Sequence, residues 1–437
     1  MALDLLNTVV DLANRRAGDI PRSARRFALL SLYDWLLCAV AGRPEPVAQL
    51  IRSYVRSEAA APVASMIGDG KTSASLAALV NGTTSHALDF DDTHFAHIGH
   101  LSVAIYPAAF AAAEETDANL SQAVDAFLLG AEAAIRVGLT LGAEHYNRGF
   151  HQTATAGAFG ACIAASRLYG LNRDQIRTAI GLCATRASGL KCQFGTMGKP
   201  YNAGIAASNG IETAKLALLG FSAPEDGLMG DQGFIPTHSN DPQPAPLQGD
   251  RYLFEDIRYK FHACCHGTHA MLEALLLAMD GRQISLDEVR SCRVWTNPRW
   301  MNVCNIQKPA TGLEVKFSYR WLAGMLLNND PTGSIALYTD ALADDRHLAA
   351  FAERVEVIPD DSVGYMQSEC ELVLTSGERI STRFDLEDPI APDEIERKLR
   401  RKASSLFGDR TGPFDRILDA HGSLSTRDVA ILLRDFT

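Results

Sequence analysis

Over roughly the first 260 residues, apolar positions recur at helical spacing almost without interruption. The stretch PRSARRFALLSLYDWLLCAVAGRP sets Pro21 at a helix start and stops at Gly42, with Pro44 behind it. SQAVDAFLLGAEAAIRVGLTLGAEH predicts a second long helix, rich in Ala and Leu. TATAGAFGACIAASRLYGLN is lined with small residues and ends at Gly170. NRDQIRTAIGLCATRASGL follows with Asn172 as its cap, and AGIAASNGIETAKLALLGF runs to Gly220. Small residues on helix faces let neighbouring helices approach closely, so this region predicts a tightly packed all-α domain.

The pattern changes after about residue 258. EVRSCRVWTN (288–297), RVEVIPDD (354–361) and CELVLTSGERISTRF (370–384) alternate apolar and polar residues, as half-buried strands do. TSGE inside the last of these is a hairpin turn signal. Helical patterns are interleaved, notably THAMLEALLLAMDG and YRWLAGMLLNND, and the ending from APDEIERKLRRKASSLFG onward is helical again. The expectation is therefore a mainly α chain. A large all-α domain covers 1–258, with 395–437 returning to it, and a smaller α+β domain covers 259–394.

Charge and cysteine usage narrow the function classes. The net charge is −11 and no basic stripe is present, which argues against nucleic acid as a partner. An anionic substrate would then need a local cationic pocket. The nine cysteines are odd in number and scattered, which is not a disulfide framework and suggests a reducing compartment. MALDLLNTVVDLANRRAGDIP reads as a short amphipathic helix carrying acids, neither a signal peptide nor a membrane span. A soluble cytoplasmic protein is expected.

The titratable groups concentrate in HALDFDDTHFAHIGH, residues 86–100. If SLAALVNGTTSHALDFDDTH runs as helices broken near Gly82, Asp89 and Thr93 share one face at i and i+4. His94, His97 and His100 then follow in a loop, with His100 at the N-terminus of a helix starting near Leu101, where backbone N–H groups favour an anion. Asp, Thr and His converging there suit proton transfer beside a carboxylate. A metal is the alternative, with His97 and His100 joined by Asp89 or Asp91, although HExxH spacing and the two-histidine, one-carboxylate pattern are both missing. His151 in RGFHQTATAG also precedes a helix. In FGTMGKPYNAG, Lys199 stands between glycines and a helix starting near Asn202, as a carboxylate or phosphate cradle would place it. KFHACCHGTHAMLEA sets His266 and His269 three apart, on one helix face.

Taken together, NGTTSHALDFDDTH, GHLSVAIYPAAFAAAE, GFHQTATAGAFGACIAASRLYGL, FGTMGKPYNAGIAASNGIETAKLALLGF, HACCHGTHAMLEAL and EVKFSYRWLAGMLL resemble the MmgE/PrpD family, in family order. That family includes 2-methylcitrate dehydratase, cis-aconitate decarboxylase and iminodisuccinate epimerase. The resemblance implies an all-α domain with a smaller α+β lid domain, the site between them, a homodimer, and neither metal nor organic cofactor. It carries the family's site positions onto Asp89, Thr93, His100, His151 and Lys199, with His266 and His269 on the lid side. Two positions depart from the family. His100–Leu101–Ser102 stands where the block often reads HPS. Trp321 stands three residues after Ser318, where dehydratases and decarboxylases tend to place tyrosine. An indole N–H donates a hydrogen bond but does not serve as a proton acid as a phenol does.

The chemistry so implied is proton movement at carbon next to a carboxylate. Asp89, His100, His151 and Lys199 form the catalytic set. Thr93, His266, His269 and Trp321 form the substrate-binding set. The first expectation is a cofactor-independent lyase, a dehydratase of a hydroxylated di- or tricarboxylate. An epimerase or a cis-aconitate-type decarboxylase is the alternative.

Overall fold

The computed structural model describes residues 5–243, 251–434 and 436, and divides the chain into two compact units, 1–259 with 410–437, and 260–409. Among the described residues, the regular structure of the first is helical apart from a short hairpin, β1 (Ala64–Ser65) with β2 (Lys71–Thr72). Its principal helices are α1 (Leu5–Ala13), α2 (Arg22–Ala41), α3 (Pro46–Ser57), α4 (Ala74–Ser85), α5 (Ser102–Thr116), α6 (Leu120–Asn147), α7 (Gln152–Leu168), α8 (Arg173–Arg186) and α9 (Gly198–Leu218). Asn119 and Asn172 each close a capping box at the starts of α6 and α8, satisfying N–H groups that the first turn would leave unpaired. The mainly α architecture is as the periodicity predicts.

Small residues bring these helices together. A methyl group added at Gly82 of α4 would sit 2.8 Å from Gly204 Cα of α9, and one at Gly130 of α6 would sit 2.4 Å from the Gly160 carbonyl oxygen of α7. Gly82 thus belongs to a helix–helix contact and not to a break, and α4 runs through it to Ser85. α6 is long and apolar enough to cross a membrane by length and composition. Most of it is buried within the unit, where it carries the Glu132–Arg136 ion pair at 2.6 Å.

The second unit holds one four-stranded sheet in the order β4–β3–β5–β6, made of β3 (Val289–Thr296), β4 (Val355–Pro359), β5 (Gln367–Leu374) and β6 (Arg379–Asp385). β3 pairs parallel with β4 and antiparallel with β5, and β5–β6 is the hairpin that TSGE turns. Helices His269–Met279 and Tyr319–Leu327 supply Met271, Leu275, Tyr319, Trp321 and Leu322 to a core shared with Val294, Phe351 and Leu372. The helix Pro392–Phe407 also lies in this unit, where Lys398 pairs with Glu273. The sequence reading returned residues from 395 onward to the first domain, whereas here the return begins at Arg410.

Candidate active site

The segment from His86 to Leu101 is not helical, contrary to the reading that placed Asp89 and Thr93 one turn apart. α4 ends at Ser85, and Asp89 adopts a left-handed backbone, φ +51°. Aspartate tolerates that conformation better than most residues, and it breaks any i,i+4 register. Tertiary hydrogen bonds then shape the loop. The Thr93 and Arg258 backbones pair, His94 pairs with Gly99, and the His100 amide donates to Thr153 Oγ1 of α7 at 2.9 Å. Asp92 accepts from the Ser102 amide (3.2 Å) and hydroxyl (2.5 Å), tying the loop to the start of α5.

Asp91 is the hub of the loop. It is fully buried, with Oδ1 2.9 Å from His86 Nδ1 and Oδ2 2.8 Å from His100 Nδ1. Burial opposes its ionisation, but the two imidazoles outweigh burial and hold the carboxyl well below the usual carboxylate range. An anionic Asp91 keeps the His86 proton on Nδ1, so that ring's Nε2 carries a lone pair, and it favours the same tautomer in His100, whose Nδ1 lies 2.8 Å from Oδ2 without hydrogen-bond alignment. Burial holds His86 below its ordinary value despite Asp91, and its Nε2 is buried with no hydrogen-bond partner among the described residues. The His86 ring lies edge-on to His100 at 4.6 Å and stacked with His151 at 6.1 Å, between the two predicted acid–base residues.

His151 caps α7. Its amide donates to the Gly189 carbonyl at 3.0 Å, and its Nδ1 is 3.2 Å from Asn202 Nδ2. Asn202 Nδ2 also faces the Leu190 carbonyl at 3.3 Å, so the amide nitrogen donates, His151 Nδ1 accepts, and the ring proton sits on Nε2. Burial pushes His151 well below its ordinary value, and His86, His100 and Lys199 push it further. Lys199 lies in the first turn of α9, which starts at Gly198 and not near Asn202 as predicted. A cation is disfavoured at a helix N-terminus, and Lys199 Nζ finds a carboxylate 2.7 Å away at Asp89 Oδ1. His100 Nε2 is 3.4 Å from the same oxygen, and Phe194 lies beneath the ammonium at 5.3 Å.

The structure therefore brings Asp89, His100, His151 and Lys199 together, as the sequence reading grouped them. That reading missed His86, the Asp91 bridge and Asn202. The available signal was the pair of acids at Asp89 and Asp91 between His86 and His100, where Asp91 was weighed only as a metal ligand. Thr93 has a buried hydroxyl with no partner among the described residues. His97 leaves the cluster: its ring packs against Gly138 of α6, where burial pushes it down to about 3.

The other expected residues lie in the second unit. His269 is buried, with Nε2 3.3 Å from the Cys264 carbonyl oxygen, and half-buried His266 stands in a short turn before the helix, the two rings 5.0 Å apart. Trp321 lies in the hydrophobic core and donates from Nε1 to the Leu342 carbonyl at 3.3 Å, which occupies the N–H expected to meet substrate. Tyr319 is buried too, its hydroxyl held by Thr296 and the Gly267 carbonyl.

His86, Asp89, Asp91 and His100 offer ligand atoms within 4.8 Å of one another, close enough to hold a metal ion. This differs from the set expected from spacing, because His86 replaces His97. The Lys199 ammonium lies against Asp89, and the His86 and His100 Nδ1 atoms lie against Asp91. What the arrangement offers chemically is two imidazole lone pairs, one imidazole N–H and one ammonium in a single loop-and-helix cluster.

The model for the MmgE/PrpD N-terminal domain matches residues 11–247, and that for the MmgE/PrpD C-terminal domain matches residues 262–420. A cis-aconitate decarboxylase-like protein, oryM, of Aspergillus oryzae is 30% identical over 62% of this chain and 60% of its own length. The cis-aconitate decarboxylase of Aspergillus terreus is 29% identical over 60% of this chain and 57% of its own, and the human cis-aconitate decarboxylase 25% over 76% and 73%. The matches thus span less than two thirds of the two fungal relatives.

Proposed function

Because this chain belongs to the MmgE/PrpD family, we propose that it is a lyase moving a proton at carbon next to a carboxylate of a small di- or tricarboxylate, without metal or organic cofactor. The observation that carries this reading is the Lys199 ammonium 2.7 Å from Asp89 Oδ1, with His100 Nε2 3.4 Å from the same oxygen. A substrate carboxylate that displaces Asp89 from Lys199 comes to rest beside the lone pair of His100.

In this mechanism Lys199 binds that carboxylate and lowers the energy of the enolate as its charge develops. His100, held by Asp91, takes the proton through Nε2. His151, neutral because it is buried, donates from Nε2 to the developing negative charge. Asp91 supplies a fixed anion that stabilises the His100 imidazolium without itself taking the proton. Loss of hydroxide then gives a dehydratase. In a decarboxylase no C–H proton is removed first: the departing carbon dioxide leaves the electron pair, Lys199 stabilises it as the enolate, and one proton is delivered to the carbon next to the carboxylate. The names of the fungal and human relatives favour decarboxylation of an unsaturated tricarboxylate such as cis-aconitate. The family's dehydratase branch is the next reading.

Incubating the protein with cis-aconitate, citrate, 2-methylcitrate and iminodisuccinate, followed by proton NMR, tests this. A new alkene or release of carbon dioxide from one tricarboxylate supports the lyase. Inversion of iminodisuccinate with no new alkene assigns the chain to the epimerases and ends the lyase reading.

A further inference from the structure

Two sulfur atoms meet outside the site just described. Cys304 Sγ lies 3.2 Å from Cys265 Sγ, in the second unit. The backbone reports the same proximity independently of the side chains. The Cys265 amide donates to the Lys316 carbonyl at 3.0 Å, and the Tyr319 amide donates to the Cys304 carbonyl at 3.1 Å, so both cysteines flank the segment 316–319. Packing locks the two loops together. A methyl group added at Gly267 would sit 2.5 Å from the Trp300 ring, whose Nε1 is fixed to the Tyr365 carbonyl at 2.7 Å.

We propose that Cys265 and Cys304 form a reversible oxidation site whose co-substrate is a small-molecule disulfide of the glutathione class. Closing a bond of about 2.05 Å requires the sulfurs to approach by roughly one more ångström, which side-chain rotation supplies. Cys265 attacks first. It is half-buried, whereas Cys304 is fully buried. The Cys304 thiol donates its hydrogen bond to the Cys265 sulfur, and this bond together with burial pushes the Cys304 thiol up.

The exchange balances. The Cys265 thiolate forms a mixed disulfide and releases one small thiolate. Cys304 then loses its proton, attacks the Cys265 sulfur and expels the second. Two protein thiols are oxidised, one small disulfide is reduced to two thiols, and both protons pass to the released thiolates. Cys264 is not the partner. It is buried and its Sγ is engaged by Thr268 Oγ1 at 3.1 Å. The bond would anchor the turn bearing His266 to the turn Pro298–Asn302. This site stands whether or not the reaction proposed above is correct.

The test treats the full-length protein with oxidised glutathione and maps its peptides without reduction. Exposed Cys192 acquires a glutathione adduct and shows that the reagent acts. The proposal expects a cross-linked peptide joining Cys265 to Cys304, lighter by two hydrogens and reversed by dithiothreitol. The cross-link persists in Cys264→Ser, and Cys304→Ser stops at an adduct on Cys265. Cys265 and Cys304 both recovered as thiols beside a modified Cys192 would overturn the proposal, as would a cross-link through Cys264.

Discussion

Lys199 and Asp91 hold opposite charges a few ångströms from the same histidine, and the account rests on both. Replacing Lys199 with Met removes the ammonium and leaves Asp89 without its cation. The expected loss in kcat/KM is about 10–100-fold or more, the worth of a charge-assisted hydrogen bond to a carboxylate. Unchanged kcat/KM would remove Lys199 from the site. Asp91→Asn keeps the shape and removes the anion that holds His86 and His100. Its kcat should fall by about 100-fold with KM nearly unchanged, because the residue acts through His100 and not on substrate. A rise in KM at constant kcat would instead place Asp91 in binding. At this scale much of the site was legible. Asp89, His100, His151 and Lys199 are recognisable as residue types set beside glycines and helix starts. His86 was not, because the left-handed backbone at Asp89 has no signature in spacing.

At the scale of elements, the legible features were those written in local chemistry. Asn172 caps α8 as read, Pro21 precedes α2, and the TSGE turn closes the β5–β6 hairpin. Features set by packing were less legible. Gly82 looked like a break and is the point where α4 meets α9. Trp321 looked like a substrate contact by its place in the motif, yet YRWLAGMLL buries Trp321 with Leu322 and Met325. The glycine contact makes a prediction. Gly82→Ala drives a methyl group into the Gly204 backbone and should cost about 1–3 kcal/mol, lowering the melting temperature. Gly70→Ala, where nothing lies within 4 Å, should leave it unchanged. Equal melting temperatures for the two variants would contradict the close approach of α4 and α9.

For the whole molecule, the buried histidines set the response to pH. Burial pushes His97 down to about 3 and also lowers His86, His94, His151 and His269. An unfolded histidine titrates near 6.5, so below that pH the unfolded chain takes up protons that the folded one refuses. Stability is therefore full above about 6.5 and falls as pH drops toward the folded values. His97 alone accounts for about 2 kcal/mol at pH 5. Asp92 works the other way: burial and Asp34 raise it to about 7, so its contribution is present at low pH and lost as pH rises through 7. Burial also lowers His145, to about 4, and raises Glu132, so six histidines act against two carboxyls and outweigh them. The melting temperature should fall from pH 6.5 to pH 5, and a flat or rising midpoint would contradict the neutral buried imidazoles.

The central claim is proton transfer beside a carboxylate by side chains alone, and solvent deuterium reads it most directly. The chelator-treated protein turns over its tricarboxylate in deuterated water, and NMR follows the carbon next to the carboxylate. The account predicts one deuterium at that carbon of a decarboxylation product, or, for a dehydration, deuterium exchanged into that carbon of recovered substrate, in either case at the rate of the untreated protein. No deuterium at that carbon in either product or substrate, or turnover that returns only when zinc is added, would contradict it.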